Sequence, residues 1–124
     1  MKILVIEDHP AELKLAHHVL SAAGHSVNNA EAAEQAFDSI KNDRPEIILL
    51  DMSLPGMDGM TLVRRLKTDP TTCDIHIVAV TSFPEIFPRE EALNAGCDAY
   101  LVKPLSTRTL SQTLTEVVVG KPEP

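Results

Sequence analysis

Four short stretches of the sequence are rich in apolar residues that do not alternate with polar ones, and a further stretch, the second along the chain, also has turn residues around it but is mostly polar. A short, uninterrupted apolar run bounded by turn residues is typical of a strand covered on both faces, as in a parallel sheet. The second stretch is the weakest, and we expect it to form an edge strand. The predicted strands are residues 2–6, 25–28, 47–50, 75–80 and 99–102.

The segments between these runs carry apolar residues at helical spacing, as Leu13, Ala16 and Leu20 illustrate. Pro10 is well placed to begin the first helix, and Gly24 to stop it. Ser106 or Thr107 is a candidate cap for the last helix. The predicted helices run from 10 to Gly24, over 30–42, from after Gly59 to before Pro70, from Pro88 to 95, and from 106 or 107 onward.

Strands that alternate five times with helices predict an α/β fold with a parallel sheet and helices on both faces. Right-handed crossovers limit the possible topologies to a few. We predict one domain over residues 1–119 and a flexible tail over 120–124. The start at Met1 favours a complete protein.

Composition narrows the functional classes. The chain has 124 residues, of which 44% are hydrophobic, and its net charge is −7. This charge argues against nucleic-acid and anionic-membrane partners. No apolar run reaches the roughly 18 residues that a membrane helix needs. Cys73 and Cys97 form no CxxC motif and are predicted to be free thiols, which suits a cytoplasmic protein.

Chemically active side chains follow the predicted strands. Glu7 and Asp8 follow the first strand, Asp51 the third, Thr81 the fourth and Lys103 the fifth. Carboxylates that converge at one sheet edge must protonate, separate or bind a cation. Their hard oxygen ligands suit Mg²⁺. A metal, an ammonium group and a hydroxyl around one carboxylate would stabilise a phosphoryl group in transfer to it.

With these residues, the chain resembles the receiver domains of bacterial two-component response regulators, from residue 3 to about 119. The resemblance rests on Glu7-Asp8, on Asp51 with Pro55-Gly56 and Asp58-Gly59 after it, on Thr81-Ser82, and on Lys103-Pro104. It is strongest to stand-alone receivers of the cell-cycle and phosphorelay type. It implies a flavodoxin-like (βα)5 fold with strand order 2-1-3-4-5.

The resemblance also implies roles for particular residues. Asp51 would accept a phosphoryl group from a phosphohistidine of a sensor kinase or phosphotransfer protein, so the chain would not be a conventional enzyme. Mg²⁺ or Mn²⁺ would be held by Asp8, Asp51 and the Ser53 backbone carbonyl, and by Glu7 through water. Lys103 would contact the phosphoryl oxygens, and its bond to Pro104 should be cis.

In this family, phosphorylation is passed on by a conformational switch. Thr81 would move toward the phosphoryl group and Tyr100 would follow. The change would alter a docking face made of the fourth helix, fifth strand and fifth helix. A downstream protein would bind there, and the chain itself would be a monomer or weak dimer.

The segment 83–88 departs from the usual family pattern because it contains two prolines. Residues before proline avoid helical geometry, so neither Phe83 nor Phe87 should be helical. We predict a small or altered switch here. Phe83 lies two residues after Thr81, at a position that in this family tunes the attack of water on the acyl phosphate. A bulky apolar side chain there would shield the phosphoryl group, so we predict slow dephosphorylation. Ile86 and Phe87 are either a partner contact or a core anchor.

Other functions remain open at the level of sequence. A Mg²⁺-dependent phosphohydrolase would want an acidic residue two positions after Asp51, where this chain has Ser53. A flavodoxin would want hydroxyls and amides after the first strand, where this chain has Glu7 and Asp8. A receiver excised from a larger kinase or regulator, or a docking module that works without phosphorylation, would share the motifs.

Overall fold

The computed structural model describes residues 1–120 and contains five strands and five helices in strict alternation. The predicted tail at 120–124 lies outside the described residues except for Gly120, so it stays a prediction. The strands are β1 Lys2–Ile6, β2 Ser26–Ala30, β3 Ile47–Asp51, β4 His76–Thr81 and β5 Ala99–Val102. The helices are α1 Pro10–Ala22, α2 Ala33–Asn42, α3 Gly59–Thr68, α4 Arg89–Ala95 and α5 Leu110–Val119.

The five strands form one parallel sheet in the order β2-β1-β3-β4-β5. The strand order and the α/β class are therefore confirmed. In a parallel sheet every carboxyl end lies at the same edge, and the order reverses direction between β1 and β3. Ligands in such folds bind in the crevice at this switch point.

The two sides of the sheet carry two separate apolar cores. Leu4 and Ile6 of β1 pack with residues of α2, α3 and α4. Ile3 and Val5 of the same strand pack with residues of α1 and α5. Successive side chains of a strand point to opposite faces, so an uninterrupted apolar run supplies both cores at once.

The second strand and helix are displaced from their predicted bounds. Ala30 was assigned to the helix, but it pairs with Ile6 as the last residue of β2, and its carbonyl accepts the Glu7 amide. The helix begins only at Ala33. The side-chain oxygen of Gln35, in the helix, accepts the amide of Glu31, just before the helix, at 2.7 Å. Sheet pairing outweighs the helix preference of alanine here.

The prediction that Ser106 or Thr107 caps the last helix is wrong. The helix begins at Leu110, and no side chain caps it. The carbonyl of Ser106 instead accepts the amides of Thr109 and Leu110, which closes a turn ahead of the helix. The fourth helix begins at Arg89, directly after Pro88, and the fourth strand begins at His76, one residue later than predicted.

The junction between β3 and α3 requires a glycine. A β-carbon at Gly59 would lie 2.6 Å from the Met52 α-carbon, so only glycine allows this approach. The Asp58 side chain accepts the Thr61 amide at 2.9 Å and caps the helix. The loop after Asp51 is thereby held against the sheet.

Within residues 1–120, no helix is long and apolar enough to cross a bilayer. Cys73 is exposed and Cys97 is buried, and both are free thiols as predicted. The Lys103–Pro104 peptide bond is cis, also as predicted.

Candidate functional site

Three carboxylates meet at the carboxyl edge of the sheet. Glu7 and Asp8 directly follow β1, and Asp51 is the last residue of the neighbouring strand β3. One carboxylate oxygen from each lies within 4.8 Å of the others. Glu7 and Asp51 are each 6% exposed, whereas Asp8 is open to solvent. The cluster thus has a buried floor and one accessible side.

Lys103 brings a positive charge into this cluster from the end of β5. Its Nζ atom lies 2.7 Å from Glu7 Oε1 and 3.1 Å from Asp51 Oδ2. Its backbone amide bonds the carbonyl of Thr81, which fixes the β5 end beside β4. An ammonium group bonded to ionised acceptors makes strong hydrogen bonds, so Lys103 links both buried carboxylates.

The surroundings of the two buried acids shift the pKa of Glu7 and the pKa of Asp51 in opposite directions. Burial raises the pKa of Glu7 to about 7, with Asp51 adding to the rise and Lys103 opposing it. Burial also disfavours the charged form of Asp51, but hydrogen bonds involving Glu7 and Ser53 and the charge of Lys103 bring its pKa below the ordinary value. Asp51 is therefore ionised at neutral pH and available as a nucleophile.

Backbone amides fix the orientation of both buried carboxylates. The Ser53 amide donates to Asp51 Oδ1 at 2.9 Å, and the His9 amide donates to Glu7 Oε2 at 3.2 Å. Each bond uses the oxygen that does not face Lys103. The second oxygen of each acid thus stays directed at the ammonium group.

Thr81 is fully buried at the end of β4, one residue after Val80, which pairs with Asp51 in the sheet. Its hydroxyl oxygen accepts the Phe83 amide at 2.8 Å and makes no bond to the carboxylates. The Phe83 side chain is 46% exposed. The hydroxyl therefore ties the start of the following loop to the strand end.

Tyr100 lies on β5 opposite Ala79, away from the carboxylates. It is partly buried against the core, and its hydroxyl donates to the Phe87 carbonyl at 2.5 Å. Burial and nearby Glu85 raise its pKa, while Arg89 opposes the rise. The ring therefore ties the loop before α4 to the sheet.

The segment 83–88 is a turn, as its prolines predicted. The amides of Ile86 and Phe87 both bond the Phe83 carbonyl, without continuing into a helix. Phe87 packs on the core, whereas the Ile86 side chain is 62% exposed. The two apolar residues thus differ: Phe87 is the core anchor, and Ile86 is free to contact solvent or another protein.

The family model described as "Response regulator receiver domain" matches residues 3–115. The chain belongs to this family. Receiver domains of two-component systems are phosphoacceptors rather than conventional enzymes, and they bind Mg²⁺ at an acidic pocket. They interact with histidine kinases and phosphotransfer proteins.

Relatives of this receiver domain include both long and short proteins. It is 38% identical to response regulator PleD of Caulobacter vibrioides over 84% of the chain, but spans only 23% of PleD. It is 30% identical to the polar-differentiation response regulator DivK of Brucella anthropi, covering 90% of this chain and 91% of DivK. Two further curated relatives are longer proteins, of which the chain spans 15% and 51%.

Solved structures agree with the fold. The chemotaxis response regulator CheY4 of Vibrio cholerae superposes with a TM-score of 0.84 at 27% identity, over 94% of this chain and 97% of that one. The flavodoxin-like arrangement of this receiver domain is thus shared with an experimental structure.

The acidic cluster of this receiver domain fits a small, hard divalent cation. Its donors are carboxylate oxygens, which Mg²⁺ and Mn²⁺ prefer, and exposed Asp8 leaves room for water. Burial and the neighbouring Asp51 raise the pKa of Glu7, and a bound cation would relieve the repulsion between these acids.

Two polar groups of this receiver domain were not anticipated from the sequence. Glu12, in the first turn of α1, places Oε1 3.2 Å from Lys103 Nζ. Asp8 precedes α1, so helical spacing does not relate the two residues, and no sequence signal marks Glu12 as a contact of Lys103. The Ser53 hydroxyl oxygen is buried and has no hydrogen-bond partner among the described residues.

Proposed function

We propose that Asp51 accepts a phosphoryl group from a phosphohistidine of a sensor kinase or a phosphotransfer protein. The observation that carries this proposal is the setting of Asp51: it is ionised, oriented by the Ser53 amide and paired with Lys103 at 3.1 Å. A carboxylate oxygen attacks phosphorus, and an O–P bond forms. The N–P bond of the donor breaks, and its electron pair returns to the imidazole nitrogen.

Asp8, Asp51 and the Ser53 carbonyl would hold Mg²⁺ or Mn²⁺, with Glu7 acting through water. The ion would neutralise charge on the phosphoryl oxygens. The contribution of Lys103 is a second positive charge, held in place by Glu7 before the donor arrives. A positive group that is already oriented stabilises a developing charge without reorganising during the reaction.

The signal would leave the site through Thr81 and Tyr100. The Thr81 hydroxyl, which accepts the Phe83 amide at the start of the 83–88 turn, would turn and donate its proton to a phosphoryl oxygen. Tyr100 holds the other end of that turn through the Phe87 carbonyl. A changed surface of α4, β5 and α5 would then bind a downstream protein.

The test is the intact mass of the protein after incubation with acetyl phosphate, with and without Mg²⁺. We expect one phosphoryl adduct that requires Mg²⁺ and is absent from Asp51→Asn. Asp38→Asn, on the exposed side of α2, removes the same charge and should be phosphorylated like the wild type. An adduct that persists in Asp51→Asn would contradict the assignment of Asp51 as the acceptor. The absence of an adduct from the wild type would contradict the proposal and favour a phosphorylation-independent docking module.

A further inference from the structure

Lys103 has three carboxylate partners rather than the two that follow strands. Its Nζ atom lies 2.7 Å from Glu7, 3.1 Å from Asp51 and 3.2 Å from Glu12. Nζ donates hydrogen bonds to Glu7 and Asp51, whereas Glu12 is an ion-pair partner without a hydrogen bond to it. A phosphoryl oxygen that arrives on Asp51 can take the third proton, and it then competes with Glu12 for the charge of Lys103.

The three partners are not equally able to leave. The side chains of Glu7 and Asp51 are each 7% exposed and are fixed by backbone amides. The Glu12 side chain is 45% exposed and lies at the mouth of the site, on a helix rather than a strand end. A partly solvated glutamate can rotate into water at low cost, whereas a buried carboxylate cannot.

We infer that Glu12 is a positioning residue that holds Lys103 in the resting state and competes with the incoming phosphoryl group for it. This inference rests on the proposed function of Asp51. During transfer from acetyl phosphate, an O–P bond to Asp51 forms while the O–P bond to acetate breaks, and acetate leaves with the electron pair. Lys103 turns from Glu12 toward a phosphoryl oxygen in this step, so the Glu12 contact slows the reaction.

A purely structural role for Glu12 makes a different prediction. An acid in the first turn of a helix stabilises that helix through its dipole, whatever it contacts. Glu34 occupies the same kind of position in α2, is exposed and has no contact with Lys103. Glu34→Gln is thus a matched control for the loss of one negative charge from a first turn.

The first test is the rate of phosphorylation by acetyl phosphate in the presence of Mg²⁺. We expect Glu12→Gln to react about threefold to fivefold faster than the wild type, the range that corresponds to losing one partly exposed ion pair. Glu34→Gln should match the wild type. A Glu12→Gln rate equal to or below that of the wild type would overturn the inference.

A second variant separates the ion pair from simple repulsion of the anionic donor. Glu12→Asp keeps the negative charge at the mouth, but its side chain is one methylene shorter and loses the contact with Lys103. If the pair controls the rate, Glu12→Asp should be accelerated like Glu12→Gln. If it reacts like the wild type while Glu12→Gln is faster, repulsion by the charge is the cause and the inference is wrong.

The resting pair can also be measured without phosphorylation. We expect Glu12→Gln to lower Tm by about 1 to 4 °C more than Glu34→Gln. In a Lys103→Met background this excess should disappear, because the partner is gone. An excess that persists without Lys103 would overturn the inference even if acetyl phosphate proved to be no donor, an outcome that would count against the proposed function alone.

Discussion

The positive charge of Lys103 offsets the free-energy cost of burying the carboxylates of Glu7 and Asp51. Lys103 is only 12% exposed, and Glu7 and Asp51 raise its pKa above the ordinary value although burial opposes the charge. A buried carboxylate that loses its partner destabilises a protein by about 3–5 kcal/mol. The ammonium group therefore serves both the stability of the fold and the chemistry that we propose.

Phe83 is expected to slow loss of the phosphoryl group. Its amide bonds Thr81, so its side chain starts next to the proposed site, and an apolar ring there cannot orient an attacking water. Phe83→Glu supplies an acceptor and should shorten the lifetime of phosphorylated Asp51 by about threefold to tenfold. The decay of the phosphoryl adduct by intact mass measures this. Phe83→Leu should leave the lifetime unchanged, and an unaltered decay in Phe83→Glu would refute the prediction.

The two thiols should differ sharply in reactivity. Burial, with Asp98 adding to it, raises the pKa of Cys97 to about 12, and the side chain is 6% exposed. At pH 8 only about one part in ten thousand would be thiolate, and the thiolate is the reactive form. Iodoacetamide should add once to the native protein, at exposed Cys73. Native Cys73→Ser should take up none, and two adducts on the native wild type would count against this.

The strand-end residues could be predicted from sequence, but Glu12 could not. Strands of a parallel sheet deliver their last residues to one edge, so Asp51 and Lys103 follow from strand bounds alone. Which helix residue reaches that edge depends on the rotation and tilt of α1 over the sheet. Helical periodicity identifies a buried face through residues such as Leu13, but does not specify which polar residue beside it faces Lys103.

At the scale of elements, the turn from β3 into α3 controls the loop that carries Ser53. Its path depends on the close approach of Gly59 to Met52 and on the Asp58 cap. The Gly59 amide also bonds the Met52 carbonyl at 3.0 Å. The Asp-Gly dipeptide is therefore a packing requirement that also places part of the site.

Gly59→Ala should destabilise the fold although alanine is the better helix former. The added methyl group meets backbone atoms that cannot move aside, and forced overpacking costs about 1–3 kcal/mol. We expect Tm to fall by about 4–12 °C. Thr61→Ala, at an exposed position in the same turn, should change Tm little. A Gly59→Ala protein as stable as the wild type would show that the loop can relax.

The turn at 83–88 should move little on activation. Two prolines restrict its backbone, and Phe87 anchors it in the core. The Tyr100 hydroxyl also donates to the Phe87 carbonyl. Structures without and with a phosphate mimic should superpose closely over residues 83–90. A large displacement of this segment would contradict the prediction, whereas a Pro84→Ala, Pro88→Ala variant should show a larger shift.

Element boundaries were the least predictable feature. The helical spacing of apolar residues after Ala30 predicts that it belongs to the second helix, yet pairing with Ile6 draws it into β2. Ser106 was chosen as a cap by residue type, whereas its carbonyl closes a turn instead. Both outcomes depend on tertiary contacts, which local propensity does not include.

At the scale of the whole molecule, the acids are in excess, with 18 against 11 basic residues. Three of them share one crevice, where their repulsion works against folding. The alternation of strands and helices was enough to predict the layers and the sheet, because most of the short runs of Ile, Leu or Val are bounded by turn residues and are typical of strands covered on both faces. The order of the strands came from the family resemblance.

Addition of Mg²⁺ should therefore stabilise the folded protein. At about ten times the dissociation constant, a ligand that binds only the folded state should raise Tm by about 2–6 °C. Asp8→Asn should lose most of this increase because it replaces a proposed carboxylate ligand by a neutral amide. Asp38→Asn, with the same change in charge, should keep it. Equal responses in both variants would indicate weak surface binding of the ion.

The chain contains one tyrosine and no tryptophan. Its near-ultraviolet fluorescence therefore comes almost entirely from Tyr100, whose hydroxyl donates to the Phe87 carbonyl. The emission of a phenol responds to the hydrogen bond that its hydroxyl makes. The protein thus carries its own optical reporter at the junction between β5 and the turn before α4, and rearrangement there can be followed in real time without a label.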